Sequence, residues 1–224
     1  MSSGWGSEIA ALLAKEVRAE LRGRSGLLTA LLFNVAAIVA ASFASSAQGM
    51  PAFGIAAMLW VILLFAAVVA LPRAFLVEEE QGTGDLLRLW ARPHSVFWGK
   101  ALYNLGLMLL TGALLSALYL LLSGQTVERP ALYVACLLGG CAALAGSTTL
   151  CGAFVAQASN RFALAGAVAL PLLVPLLAVT VTGTASAFGA GSAESAERAA
   201  AGLWAYAVAT FAMGPYLFAA VWKS

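Results

Sequence analysis

RAFLVEEEQGTGDLLRLWARPHSVFWGK, residues 73–100, is the longest charged interruption in an otherwise apolar sequence, and it lies between two stretches long enough to cross a bilayer. It cannot sit in lipid. Each acidic or basic residue at the centre of a membrane helix costs about 2.5–3.5 kcal/mol to insert, and Glu78, Glu79, Glu80 and Asp85 fall close together. Nor does it read as a disordered linker. After Gly82-Thr83-Gly84, Asp85 is suited to be an N-cap, and Leu86, Leu87, Leu89 and Trp90 follow as an apolar stripe at helical spacing. Pro93 is expected to stop that helix, with Arg88 and Arg92 near its negative C-terminal end. The pattern predicts a helix of about two turns, roughly 12 Å long, at the membrane face with an acidic entry. A short ordered helix between two spans is a docking element for something in the aqueous phase.

Composition sets the class around it. Of 224 residues, 62% are hydrophobic and only 10% charged, against about 25% charged in soluble proteins. This is the composition of an all-α integral membrane protein, and about six spans of roughly 20 residues fit its length. A net charge of +2 gives no reason to expect nucleic acid as a partner. Ahead of the first span, Ile9, Leu12, Leu13, Val17 and Leu21 recur at three- and four-residue spacing, opposite Glu8, Lys15, Arg18 and Arg22. Residues 9–22 are therefore expected to form an amphipathic helix lying in the interface, and no cleavable leader is expected before residue 27. The spans are expected at about 27–46, 53–71, 101–123, 131–156, 162–182 and 200–221, with 73–100 as a cytoplasmic coupling loop. The fourth holds Gly139, Gly140 and Gly146 with Ala142 and Ala143, small residues that let a neighbouring helix approach closely. Pro171 and Pro175 are expected to kink the fifth.

Orientation follows from the basic residues. Lys15, Arg18, Arg22, Arg24, Arg73, Arg88, Arg92, Lys100, Arg161 and Lys223 fall on one side, and only Arg129 and Arg198 on the other. By the positive-inside rule both termini and the 73–100 loop are expected in the cytoplasm. The expected spans contain no Asp, Glu, Lys, Arg or His, which argues against an ion-coupled carrier. Cys136, Cys141 and Cys151 share one span and are expected to be packing residues, and His94 a polar surface residue. No metal site and no catalytic residue are expected. With no phosphate-binding loop or nucleophile elbow, energised work would have to draw on a partner, entering at the docking element.

These features resemble the membrane subunits of type-2 ABC exporters: an interfacial N-terminal helix, six spans, and an acidic-Gly-helix-Pro segment between the second and third. More narrowly, KEVRAELRGRSGLLTALLFN (15–34) followed by FLVEEEQGTGDLLRLWARPHSVFWGKALYN (75–104) is similar to the CcmB family of cytochrome c maturation. The pattern is carried by Glu78 to Glu80, Gly82-Thr83, Asp85, Leu87, Leu89, Pro93 and Lys100; Gly84 stands where the family has a larger apolar residue. The resemblance implies a non-catalytic, permease-like subunit of the bacterial inner membrane. ATP would be hydrolysed on an ABC ATP-binding subunit (CcmA-like). The other implied partners are a haem-handling membrane subunit (CcmC-like), a small membrane subunit (CcmD-like) and a haem chaperone (CcmE-like), with two copies of this chain. Haem would be handled by the complex, and no cofactor is expected on this chain, whose outer side has no histidine pair to hold the iron. The alternatives are an export permease for a lipid, drug or other small molecule, and an assembly subunit with no transport path.

Overall fold

The computed structural model describes residues 4–70, 78, 82, 87, 89–156 and 161–222. Glu79, Glu80, Thr83, Asp85 and Leu86, which carry much of the expected docking element, lie outside the described residues. Among the described residues the secondary structure is helical throughout, without strands. Helix α1 (Trp5–Arg22) begins four residues ahead of the expected Ile9. Gly23 joins it to α2 (Arg24–Gln48), donating its amide to Ala19 O. Gly49 closes α2 with φ 57°, a left-handed conformation that suits glycine, and α3 (Ala52–Ala70) follows.

Helix α4 (Pro93–Ser123) starts eight residues before the expected Ala101. Pro93 does two jobs here. It holds Arg92 extended (φ −76°, ψ 139°), which ends the preceding turn. Its own lack of an N–H is harmless at the first helical position, so it opens the next helix. The sequence expectation saw only the stop. Helices α5 (Pro130–Ala156), α6 (Arg161–Ala185) and α7 (Ala193–Trp222) complete the bundle. The Gly/Ala/Ser-rich stretch 183–199, expected as a loop, is mostly helical. It ends α6, passes through a wide turn at Ser186–Ala190 and opens α7. Its alanines are strong helix formers, and Arg129 reaches across to the carbonyls of Ser186 and Gly191.

Among the described residues, six helices, α2 to α7, are long and apolar enough to cross a membrane. Helix α5 is the centre: 78% of its membrane-length stretch is buried, against 28% for α2 and for α4. Its small residues explain this. A Cβ on Gly140 would run into the Trp60 ring of α3, one on Gly139 would come within 3.2 Å of Leu203 and Trp204 of α7, and one on Gly146 would meet Thr210. All three glycines face side chains of other helices of the same chain. Cys136 and Cys141 fill the gaps opposite Gly183 and Gly112, and all three cysteines are buried and free.

Polar groups at membrane depth are used between helices. Trp60 Nε1 donates to Thr184 Oγ1 at 2.7 Å, and Asn104 Nδ2 to Thr149 Oγ1 at 2.8 Å. Helix α6 runs through Pro171 and Pro175. In the turn before Pro175, Tyr206 Oη of α7 donates to the Leu172 carbonyl at 2.9 Å, tying α7 to α6. A second core of Leu12, Val96, Phe97, Ala101, Leu150, Ala153 and Phe218 gathers α1, the start of α4 and the ends of α5 and α7. This cluster marks one pole of the bundle, hereafter the terminal end.

Candidate functional site

Between α3 and α4 the described residues form a short helical turn. Leu87, Leu89 and Trp90 are helical, and the Ala91 amide donates to Leu87 O at 3.0 Å. Gly82, upstream, has φ 65° and makes a turn there. The two faces of the helical turn differ sharply. Leu87 and Ala91 pack on the terminal-end core. Leu89 and Trp90 are 82% and 84% exposed, the highest values among the described large apolar side chains. Of the four apolar residues expected to act together, Leu87 faces its own protein, Leu89 and Trp90 face outward, and Leu86 is outside the described residues.

Under this turn sits a buried ion network. Lys100, in the second turn of α4, has no exposed surface. Its Nζ lies 2.8 Å from Glu16 Oε1 of α1 and 2.9 Å from Glu78 Oε2 of the connecting segment. Lys15 Nζ pairs with the same Glu78 and, at 3.1 Å, with Glu16. Two lysines and two glutamates thus cancel in charge, which is what a buried cation needs. Burial acts to lower the Lys15 pKa, but the adjoining Glu78 and Glu16 outweigh it and raise the value above 10.5. Further along α1, Glu8 Oε2 accepts from Ser95 Oγ at 2.9 Å, and Glu8 lies 3.8 Å from Arg92. Between these steps Gly99 lets Leu12 approach, since a Cβ there would come within 2.7 Å of the Leu12 side chain.

The acidic entry therefore differs from its expected form. The Glu78 side chain is only 12% exposed and turned to the chain's own lysines, not presented to a partner. Helix α1 differs too. Glu16, on the Leu12 side, is 8% exposed, while Val17 and Leu21 of the expected apolar face are 41% and 58% exposed. Sequence reasoning missed Glu16 and the burial of Lys100. The signal was present: Glu8, Leu12, Glu16 and Glu20 recur every four residues on one face, and a helix opening at Pro93 places Lys100 among Val96, Phe97 and Ala101.

Among the described residues, six membrane-length helices, a packed glycine-rich central helix and a buried ion network at one pole define a multi-pass membrane protein of the all-α class. The model of the CcmB protein family matches residues 7–224, nearly the whole chain, and the chain belongs to the CcmB family. It is thus a membrane permease subunit of an ABC transporter system of cytochrome c maturation. No curated protein matches the sequence.

Proposed function

We propose that this subunit receives ATP-driven motion from a separate ATP-binding subunit through Leu89 and Trp90, and passes it to α4 and α1 through the Lys100 network. The observation that carries this reading is the exposure of Leu89 and Trp90 above 80% on a turn whose opposite side is anchored in the core. An exposed tryptophan beside a leucine is the kind of anchor that fills an apolar groove and dominates interface energetics. Glu78 bonds both Lys100 of α4 and Lys15 of α1, so a push on the connecting segment moves two helices together. The terminal end faces the cytoplasm, where ATP is, in agreement with the basic bias, and the membrane is the bacterial inner membrane. ATP-binding subunits of ABC systems close in pairs, so two copies of this chain, related by a two-fold axis, supply two docking turns. In this reading hydrolysis on the partner releases haem-loaded chaperone, and haem itself is held by another subunit.

The test compares Trp90→Ala and Leu89→Ala with Leu121→Ala, an exposed residue at the opposite pole. Losing a hot-spot tryptophan costs about 2–4 kcal/mol of binding, so recovery of the ATP-binding subunit with tagged Trp90→Ala falls at least tenfold. Holo-cytochrome c yield falls with it, while Leu121→Ala matches wild type. Wild-type assembly and maturation in both loop variants would reduce the segment to a connector.

A further inference from the structure

We infer that the outward flank of α1 binds the headgroups of anionic phospholipids. The charges of this helix are sorted in space. Glu8 and Glu16 point to α4 and are held by Ser95 and Lys100, and Lys15 is tied to Glu78. Arg18 and Arg22 remain exposed, and neither pairs with a carboxylate among the described residues. Beside them Val17 and Leu21, one turn apart, are exposed as well. The exposed surface is therefore cationic and apolar: the acidic groups at positions 8 and 16 are already neutralised, and Glu20 lies against Tyr103 of α4. That combination suits an interfacial helix on an anionic bilayer.

Depth decides which partner this surface meets. Helix α4 has 31 residues, about 46 Å of rise, against a hydrocarbon core of about 30 Å. At the average tilt of about 20° roughly 13 Å overhangs; the charged Arg92 and Lys100 put that overhang at the first turns of α4, and α1 lies beside those turns, from Ser95 to Lys100. At its other end α1 is joined through Gly23 to α2, whose membrane-length stretch begins at Leu28, within two turns of Arg22. Both ends of α1 are thus confined to the headgroup layer. Arginine offers a planar fork of donors that matches a phosphate, and each basic residue near an anionic surface adds about a fivefold gain in affinity.

The full chain, purified in detergent, is titrated with phosphatidylglycerol or phosphatidylcholine, and retained lipid is read by native mass spectrometry alongside the thermal midpoint. Wild type is expected to retain phosphatidylglycerol preferentially and to lose that preference at high salt. The double variant Arg18→Gln/Arg22→Gln weakens phosphatidylglycerol retention by roughly 10- to 30-fold, leaves phosphatidylcholine retention unchanged and keeps its midpoint in phosphatidylcholine. Arg18→Lys/Arg22→Lys retains most of the preference. Equal retention of both lipids by wild type overturns the inference, as does a salt-insensitive preference. A glutamine variant that keeps phosphatidylglycerol but loses an acidic partner protein overturns it in favour of a protein occupant. Were the glutamine variant not to fold, the salt dependence of wild type and the lysine variant decide.

Discussion

Lys100 shows how one residue organises the terminal end. It is fully buried, and its two glutamate partners come from separate elements, α1 and the connecting segment. Removing one member of a buried ion pair costs about 3–5 kcal/mol because the remaining charge is left uncompensated. Lys100→Met is therefore expected to lower the thermal midpoint of the purified chain strongly. Lys15 has a side chain 46% exposed, and partly exposed pairs contribute about 0–1 kcal/mol. Lys15→Met should shift the midpoint little, and equal shifts would show that burial of Lys100 is not what anchors the network. Lys15 also carries a pH signature. Its pKa is raised in the folded chain, so its contribution is complete below 10.5 and is lost as pH rises through the raised folded value. A midpoint already falling between pH 7 and 9 for wild type, but flat for Lys15→Met, would contradict that assignment.

At the scale of elements, the decisive object is α5, whose glycines admit neighbours on several sides. In lipid, helices gain no hydrophobic energy by associating, so close packing of small residues has to hold them. Gly140→Ala thrusts a methyl into the buried Trp60 ring, and overpacking of this kind costs about 1–3 kcal/mol. It also threatens the Trp60–Thr184 hydrogen bond that ties α3 to α6. Gly106 of α4 provides the contrast, because a Cβ there meets nothing within 4 Å. Gly106→Ala should be neutral or stabilise by up to about 1 kcal/mol through helix propensity. The pair is read from thermal unfolding in one detergent. A Gly140→Ala midpoint at or above that of Gly106→Ala would mean that the ring moves aside without penalty.

For the whole molecule, the proposed orientation and assembly make two measurable claims. Leu89 is the natural reporter in cells that lack the ATP-binding subunit, because it is 82% exposed on the chain alone, whereas Ser95 is buried and a poor one. In such cells, with Cys136, Cys141 and Cys151 replaced by alanine, Leu89→Cys should react with a membrane-impermeant maleimide only after the cells are opened. Labelling in intact cells would reverse the proposed orientation. The complex purified with its ATP-binding subunits should have a mass that holds two copies of this chain, and a mass admitting one copy would refute the paired arrangement.

The number of membrane helices and the place of the charged connecting segment follow from the sequence alone. A chain 62% hydrophobic with 10% charged residues leaves few places where charge can collect, and lipid forces every uninterrupted apolar stretch into a helix. The family was legible in residues 15–34 and 75–104 for the same reason, since polar residues are sparse enough to be distinctive. Helical periodicity also showed that positions 139, 140 and 146 are small, but not that their neighbours are Trp60, Leu203, Trp204 and Thr210. The polarity of α1 was misread because periodicity assigns residues to faces without saying what each face meets. Glu16 is inward only because Lys100, 84 residues away in sequence, is buried beside it. Glu78 turns inward for the same cause. A charge can be buried only against its counter-charge, and which charges meet is decided by tertiary structure.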